Sequence, residues 1–257
     1  MKIRIILFLS LMGLVGLFWL TLPSRKVEVI FCDVGQGDAV LVIYKNWQML
    51  IDTGPNNKKV LSCLERHIPF WDKKIEVIMI THGDNDHSGG LTDVSKFYQI
   101  EQIIDSKKMS QSDLVKTNWM VFETVNPKEK TKNEEDNNEN SIAGILRFYS
   151  PKLKREVKIF MAADIDLETE QRLVWRNIIR QDFDQVDILK VSHHGSKNGT
   201  SEELLERLKP KIAVISVGAK NKFGHPTKEV MDRLKEKNIE IKRTDLNGEI
   251  LTEDFIF

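Results

Sequence analysis

Thr81-His82-Gly83-Asp84-Asn85-Asp86-His87-Ser88-Gly89-Gly90 is the stretch on which the reading of this chain turns. It brings two imidazoles and two carboxylates into the six residues from His82 to His87. An apolar run, Ile75 to Ile80, precedes it and predicts a buried strand. Gly89-Gly90 and a plausible helix follow. A strand that ends in clustered His and Asp sets several metal ligands on one tight loop. Imidazole nitrogen and carboxylate oxygen are the donors that hold hydrolytic divalent ions. A merely solvated βα loop is the bland alternative, and the density of ligand-type residues weighs against it.

His82, Asp84, Asp86 and His87 cannot all reach one ion comfortably, because neighbouring residues point in different directions. Two ions can share them, and paired ions about 3.5–4 Å apart clamp the attacking and leaving oxygens of a displacement. Further ligands must then come from elsewhere. Asp164 follows the apolar run Ile159-Phe160-Met161-Ala162-Ala163, and His193 follows Val186 to Ser192. A carboxylate can bridge two ions, which suits Asp164. The competing reading of Asp164 is a helix N-cap before Leu167, and that of His193-His194 is a polar surface loop.

The chain has 257 residues and 41% apolar side chains, enough for one domain with a substantial core. Its 38 basic and 38 acidic residues cancel. No global field draws it to nucleic acid or an anionic membrane, so a nucleic-acid substrate would need a local basic patch. Cys32 and Cys63 lie in apolar segments without metal-finger spacing, and two buried thiols are expected unless the domain faces an oxidising compartment. Ile5 to Leu22 is uncharged and apolar, preceded by Lys2 and Arg4. It is near the lower length limit for a membrane span. Phe18 to Pro23 is too bulky for a signal-peptidase site. The segment therefore reads as an uncleaved signal anchor, residues 1–25, ahead of a domain at 26–257. Lys2 and Arg4 are matched by Arg25 and Lys26, so charge alone does not orient the anchor. Short N-terminal anchors usually leave the catalytic domain outside the cytoplasm, and that orientation is the expectation.

Strands are predicted at Val27–Val34, Asp38–Tyr44 and Gln48–Asp52, with turn residues between them, as an antiparallel meander. A helix is expected at Lys58–Ile68, a strand at Ile75–Thr81 and a helix at Leu91–Tyr98. Residues 126–140 are almost devoid of apolar side chains and predict a surface loop or insertion. Strands follow at Ile142–Tyr149 and Val157–Ala162, a helix at Leu167–Ile179, and a strand at Val186–Ser192. A helix capped by Ser201 runs to Leu208. Then come a strand at Ile212–Val217, a helix at Thr227–Lys237, and strands at Ile239–Arg243 and Glu249–Thr252. The order, β-rich and then mixed βα, occurs twice and suits two packed sheets with outer helices.

At this point the chain resembles the metallo-β-lactamase superfamily, with its His-x-His-x-Asp-His motif. More narrowly, it looks like the C-terminal hydrolase domain of the ComEC DNA-uptake channel family, which serves competence. The resemblance runs from about Val29 to the C-terminus. It is carried by Asp33-Val34-Gly35-Gln36-Gly37-Asp38-Ala39, Ile51-Asp52-Thr53-Gly54, the metal loop, Asn140-Ser141, Ser192-His193-His194-Gly195-Ser196 and Gly224-His225-Pro226. Each piece is weak alone, and six in family order are strong. The resemblance implies an α/β fold, the αββα sandwich, with two divalent ions, manganese or zinc, at one edge. It implies that His82 and Asp84 serve one ion, that Asp86, His87 and His193 serve the other, and that Asp164 bridges them. Asp86 would also orient or deprotonate a water held between the ions.

The chain departs from the broad superfamily in three places. Asp84 stands where a second His is usual, as in ComEC-like members. No His lies between Tyr98 and Asp164, so the third ligand of the first ion is absent, with Asn140 or Ser141 the nearest equivalent. Ala162-Ala163 replace the more typical Thr-Gly before Asp164. The extra oxygen donor makes the first site harder and shifts preference toward manganese or magnesium, against an affinity order that favours zinc. Gln36, Asp38, His194 and His225 are expected beside the substrate or behind the ligands. Turn formation explains Gln36 and Asp38 nearly as well, and loop capping explains His225. Asp52 is expected to hydrogen-bond a ligand His. His67 reads as structural.

Three functions compete. The first is a membrane-anchored phosphodiesterase or nuclease with DNA or another phosphodiester as substrate, although one apolar segment cannot form a DNA-conducting pore. The second is a lactam, lactone or thioester hydrolase on the same fold, which the Asp84 substitution disfavours. The third is a non-enzymatic accessory module with a degraded site, supported only by the missing His.

Overall fold

The computed structural model describes residues 12–13, 26–130, 138–179 and 185–255. Three strands open the domain, β1 (Glu28–Phe31), β2 (Val40–Tyr44) and β3 (Trp47–Ile51). They pair antiparallel in sequence order, as their alternation with turn residues predicts. Helix α1 (Lys59–His67) carries the chain over to β4 (Lys74–Met79), which lies parallel to β3. The short α2 (Asn85–Ser88) and then α3 (Leu91–Phe97) lead to β5 (Gln99–Ile104), parallel to β4. Near the C-terminus β13 (Ile250–Leu251) returns to pair with β1 and completes a six-stranded sheet.

The second sheet has seven strands. β6 (Leu114–Lys116), β7 (Met120–Asn126), β8 (Ala143–Ser150) and β9 (Arg155–Met161) are antiparallel neighbours. β10 (Ile188–Lys190), β11 (Ile212–Ile215) and β12 (Glu240–Arg243) extend it in parallel from β9. The crossovers are α4 (Leu167–Trp175), α5 (Glu202–Leu208) and α6 (Lys228–Glu236), and α7 (Thr244–Asn247) follows β12.

Side-chain alternation along the strands separates three apolar layers. Phe31, Met49, Phe122 and Ile159 belong to the layer between the sheets. Ile30, Leu41, Leu50 and Ile78 face the other way, onto Val60 and Leu64 of α1. Phe160, Leu189 and Ala213 pack with Leu204, Leu205 and Leu234 of α5 and α6. This is the expected αββα sandwich. A fully buried Phe or Leu contributes about 1.5–3 kcal/mol relative to exposure, so these layers supply the main stabilisation.

Three expectations need correction or completion. The cysteines are not free thiols: Cys32, just past β1, is bonded to Cys63 on the inner face of α1, with Cα atoms 5.9 Å apart. Only the packing of α1 on the sheet brings them together. β5, β6 and β7 fill a region for which the sequence suggests no element. β5 presents Gln, Glu and half-buried Ile at a sheet edge, and β6 has three residues, so neither carries a strong period. The expected anchor, Ile5–Leu22, falls outside the described residues apart from Met12 and Gly13. Among the described residues no helix is long and apolar enough to cross a membrane.

The strand directions place the chemistry. β3, β4, β9, β10 and β11 all end at one edge of the sandwich, and Asp52, His82, Asp164, His193-His194 and Ser216 follow them within one to four residues. Backbone hydrogen bonds tie the loops of the first sheet together there. Asp38 N–H donates to Asp86 O (3.0 Å), Thr53 N–H to His87 O (2.7 Å), Gly54 N–H to Asp38 O (2.7 Å) and Gly90 N–H to Gly54 O (2.9 Å). Contacts this close need glycine. Gly37 has φ +137°, and a Cβ on it would stand 2.2 Å from Asp86 O.

Candidate metal centre

The imidazoles are oriented from behind. Thr81 N–H donates to Asp52 Oδ1 (2.7 Å) and the Thr81 hydroxyl to Asp52 Oδ2 (2.8 Å). His87 Nδ1 lies 2.7 Å from Asp52 Oδ2, so it carries the proton and donates. With its proton given to Asp52, Thr81 Oγ1 is the acceptor for His82 Nδ1 at 3.1 Å. His194 Nδ1 donates to the Ser216 carbonyl at 3.0 Å. In each ring Nδ1 is thus engaged from behind, and Nε2 is the nitrogen left for an ion once the ring is neutral. Such carboxylate and carbonyl contacts to the far nitrogen are what set a metal-ligating tautomer.

Those three Nε2 atoms are buried and lack hydrogen-bond partners, as do Asp164 Oδ1 and Asp38 Oδ1. Buried polar atoms are nearly always satisfied. Here they converge. His87 Nε2 is 3.3 Å from Asp164 Oδ1, His194 Nε2 is 3.6 Å from Asp164 Oδ2 and 3.3 Å from Asp86 Oδ2, and His82 Nε2 is 3.6 Å from Asp84 Oδ2. His82, His87 and Asp164 form one group able to share an ion, and Asp86, His87 and His194 form another. Two such groups meeting at His87 and beside Asp164 fit one or two divalent ions.

The charges respond to this crowding. Burial alone would raise the Asp164 carboxyl, but His87 and His194 hold it well below the usual range. Burial opposes the imidazolium of His87, yet Asp164 and Asp52 raise it well above its ordinary value. His194 is pushed up to about 9 against its burial, by Asp164 and Asp38. Burial and the neighbouring His87 lower His82. Protons thus balance the carboxylates that divalent ions would neutralise.

The expected residues are distributed as follows. Asp164 does not cap α4. Asp166 does, accepting from Thr169 N–H at 2.9 Å, which leaves the Asp164 carboxylate to the site. Asp84 sits at the N-cap of α2 without a side-chain capping bond and is largely exposed. The adjacent histidines are the reverse of the expected arrangement. His194 is buried against Asp86, Asp164 and Asp38, whereas His193 lies toward the rim, 3.7 Å from Asp164 Oδ2 and 30% exposed. Both have positive φ, 46° and 54°, so the chain turns sharply and presents the second imidazole inward. Adjacent positions in a turn cannot be ranked from sequence.

Ala163 also has positive φ, 48°, which explains why a glycine suits that position. Ser141 is buried but donates its hydroxyl to Asn138 O, and Asn140 closes the same turn. Ile142 N–H bonds to Thr81 O (2.9 Å), which holds that segment beside the metal loop. Gln36 accepts from Gly218 N–H at 3.3 Å. His225 stands at the rim, its ring centroid 5.9 Å from that of His193. His67 is remote and pairs with Glu249 at 2.9 Å.

Thr81, Ser216 and Lys190 were not singled out from sequence. Lys190 is buried in β10, with Nζ 2.5 Å from Asp38 Oδ2, and it neutralises that carboxylate behind His194. A lysine within an apolar strand, Ile188-Leu189-Lys190-Val191, is a signal that could have been read.

The fold is of the metallo-β-lactamase type, and residues 32–135 match the model of the metallo-beta-lactamase superfamily. ComE operon protein 3 of Bacillus subtilis (strain 168) is 26% identical over 88% of this chain and 33% of its own length. Recombination protein 2 of Haemophilus influenzae is 26% identical over 92% of this chain and 30% of its own. The chain thus spans about a third of the curated relatives it matches. Among solved structures, the metallo-beta-lactamase fold protein YhfI of Bacillus subtilis superposes with a TM-score of 0.55 at 8% identity, covering 88% of this chain and 99% of that one. The motifs that suggested a ComEC-like form are thus matched by relatives of that kind along most of this chain.

Proposed function

We propose that the protein is a two-metal phosphodiesterase acting on nucleic acid or a related diester. The observation that carries this is the gathering of the buried, partnerless His82, His87 and His194 Nε2 atoms around Asp164, with Asp84 and Asp86 at the open side. His82 and Asp84 would hold one ion, Asp86, His87 and His194 the other, and Asp164 both, while His193 guards the rim. Divalent ions bound there polarise phosphoryl oxygens and make water a nucleophile near neutral pH. The oxygen donor at Asp84 favours a harder ion such as manganese over zinc. A relative named for recombination supports a diester substrate over a lactam.

The side chains divide the remaining work. Asp86 lies with Oδ2 3.3 Å from His194 Nε2 and is 30% exposed, and it would take the proton of the attacking water. Asp52, Thr81 and Ser216 keep the imidazoles in one tautomer through the cycle.

The test uses the full chain in detergent, loaded with manganese or zinc. Bis-p-nitrophenyl phosphate and single-stranded DNA are compared with nitrocefin and acyl-lactones. Diester hydrolysis, fastest with manganese, is the expected outcome. Asp86→Asn should lower kcat by roughly a hundredfold or more with little change in KM. Asp84→His should move the metal optimum toward zinc. Cleavage of a lactam or ester with no diester hydrolysis under any divalent metal would overturn the substrate while leaving the fold intact.

We further propose that the domain lies outside the cytoplasm, anchored through Ile5–Leu22. The buried Cys32–Cys63 disulfide supports it, because such bonds persist in oxidising compartments. The full chain is expected in the membrane fraction with its first residues intact, and protease added to spheroplasts should digest the domain. A soluble form starting near Ser24 would show a removed signal instead.

A further inference from the structure

Beyond the metal centre, a row of rings leads out to the surface. His87 and His194 have centroids 5.2 Å apart, and His193 lies 6.2 Å from His194. His225 follows at 5.9 Å from His193. The last ring is Phe223, stacked on His225 at 5.7 Å with an interplanar angle of 25°. Phe223 is 67% exposed, so one face is covered by the imidazole and the other is open.

The turn that holds this ring is built rather than loose. Asn221 binds it with its whole amide. Oδ1 accepts from Phe223 N–H (3.2 Å) and His225 N–H (3.0 Å), and Nδ2 donates to Gly218 O (2.9 Å) and His225 O (2.7 Å). At the base of the turn, Gly218 N–H reaches Gln36 Oε1, on the glycine turn beside the metal loop. A solvent-facing Phe fixed in this way has no role in the core. Lys220 and Lys222 precede it in the same turn, both exposed, and neither has an acidic partner within 4.0 Å among the described residues. His225 Nδ1 is buried without a partner at the same rim.

An open aromatic face beside unpaired cations, at the lip of a site for phosphodiesters, matches the chemistry of a nucleotide strand. Stacking on an aromatic ring holds a base whatever its identity, and lysines hold the backbone that runs past it. Resting on the phosphodiesterase reading, we propose that Phe223 is a stacking platform for a nucleobase of single-stranded nucleic acid, with Lys220 and Lys222 binding the adjoining phosphates. The protein would then read single strands by stacking, without base-specific hydrogen bonds. It would reject duplexes, whose bases are already stacked.

The test is fluorescence anisotropy on the metal-free full chain in detergent. The probes are a labelled dT12, an abasic strand of the same length and charge, and a 12-base-pair duplex. Wild type should bind dT12 about tenfold more tightly than the abasic strand. Phe223→Ala should bind dT12 no better than the abasic strand, and Phe223→Trp should restore the preference. Lys220→Ala with Lys222→Ala should weaken both strands alike and flatten the dependence on salt. Thermal unfolding of each variant checks that the fold is retained. Equal wild-type affinity for dT12 and abasic strand, unchanged dT12 binding by Phe223→Ala, or tighter binding of the duplex would overturn the platform. Hydrolysis of methyl p-nitrophenyl phosphate by the metal-loaded wild type separates the two claims. A protein that cleaves this diester but shows no base preference loses only the platform. One that prefers dT12 yet cleaves no diester loses the phosphodiesterase reading.

Discussion

Asp52 is the residue on which the ligand geometry most depends. It sits at positive φ, 60°, and its two oxygens take Thr81 N–H, the Thr81 hydroxyl and His87 Nδ1–H. An amide cannot accept all three. Asp52→Asn should therefore let His87 turn or change tautomer and weaken metal binding by about 10–100-fold, measured by competition with a chromogenic chelator. Direct ligand loss is expected to act on stoichiometry instead. His82→Ala and Asp164→Ala should each reduce the ions held per chain in elemental analysis, whereas His67→Ala, paired with Glu249 away from that cluster, should not. Loading also displaces protons, because carboxylates hold His87 and His194 protonated above their ordinary range in the metal-free site. Calorimetry in buffers of different ionisation enthalpy should show net proton release at pH 7. An apparent enthalpy independent of buffer would contradict that.

Among the elements, the turn after β10 shows how a ligand loop is held. Glu170 of α4 is buried, and its carboxylate accepts from Thr200 N–H and Ser201 N–H, both at 2.7 Å. Arg233 of α6 donates to Gly199 O and Thr200 O from the other side. Burial outweighs the two N–H bonds and pushes Glu170 up to about 7. The native state thus keeps a proton that the unfolded chain, at the ordinary 4.5, releases. Between these values the native state binds more protons, so this contribution to stability falls as pH rises from about 4.5 to 7, by roughly 1–3 kcal/mol. Urea midpoints of Glu170→Gln should lack that decline, and parallel curves for variant and wild type would refute the assignment. The same loop is finished by Ser201, whose hydroxyl accepts from Leu204 N–H at 3.2 Å as the N-cap of α5. Ser201→Ala should cost about 1 kcal/mol in the same measurement.

At the scale of the whole molecule, the Cys32–Cys63 bond joins the first strand region to the first helix across 31 residues. Closing a loop of that length removes unfolded-state entropy worth about 3–4 kcal/mol. Urea unfolding with excess dithiothreitol should show a correspondingly lower midpoint. Identical midpoints with and without reductant would mean that the thiols are free in solution.

Patterns of adjacent residues settled much of this protein in advance. Short apolar runs bounded by turn residues placed ten of the thirteen strands among the described residues, and the dense His and Asp of Thr81–Gly90 pointed to the candidate site after β4. Both depend on local spacing, which a sequence records directly. What spacing cannot carry was decided by the fold. β5 to β7 lack a strong local signal and gain their place by pairing with neighbours. The disulfide required α1 to lie on the first sheet. The choice of His194 over His193 for the buried position follows from two consecutive residues at positive φ and from the Ser216 carbonyl, 22 residues away, that receives Nδ1. Lys190 found its role only through Asp38, which approaches from the opposite sheet. Ligand type is a property of the residue, but ligand direction depends on backbone angles and distant partners, which only the assembled sandwich fixes.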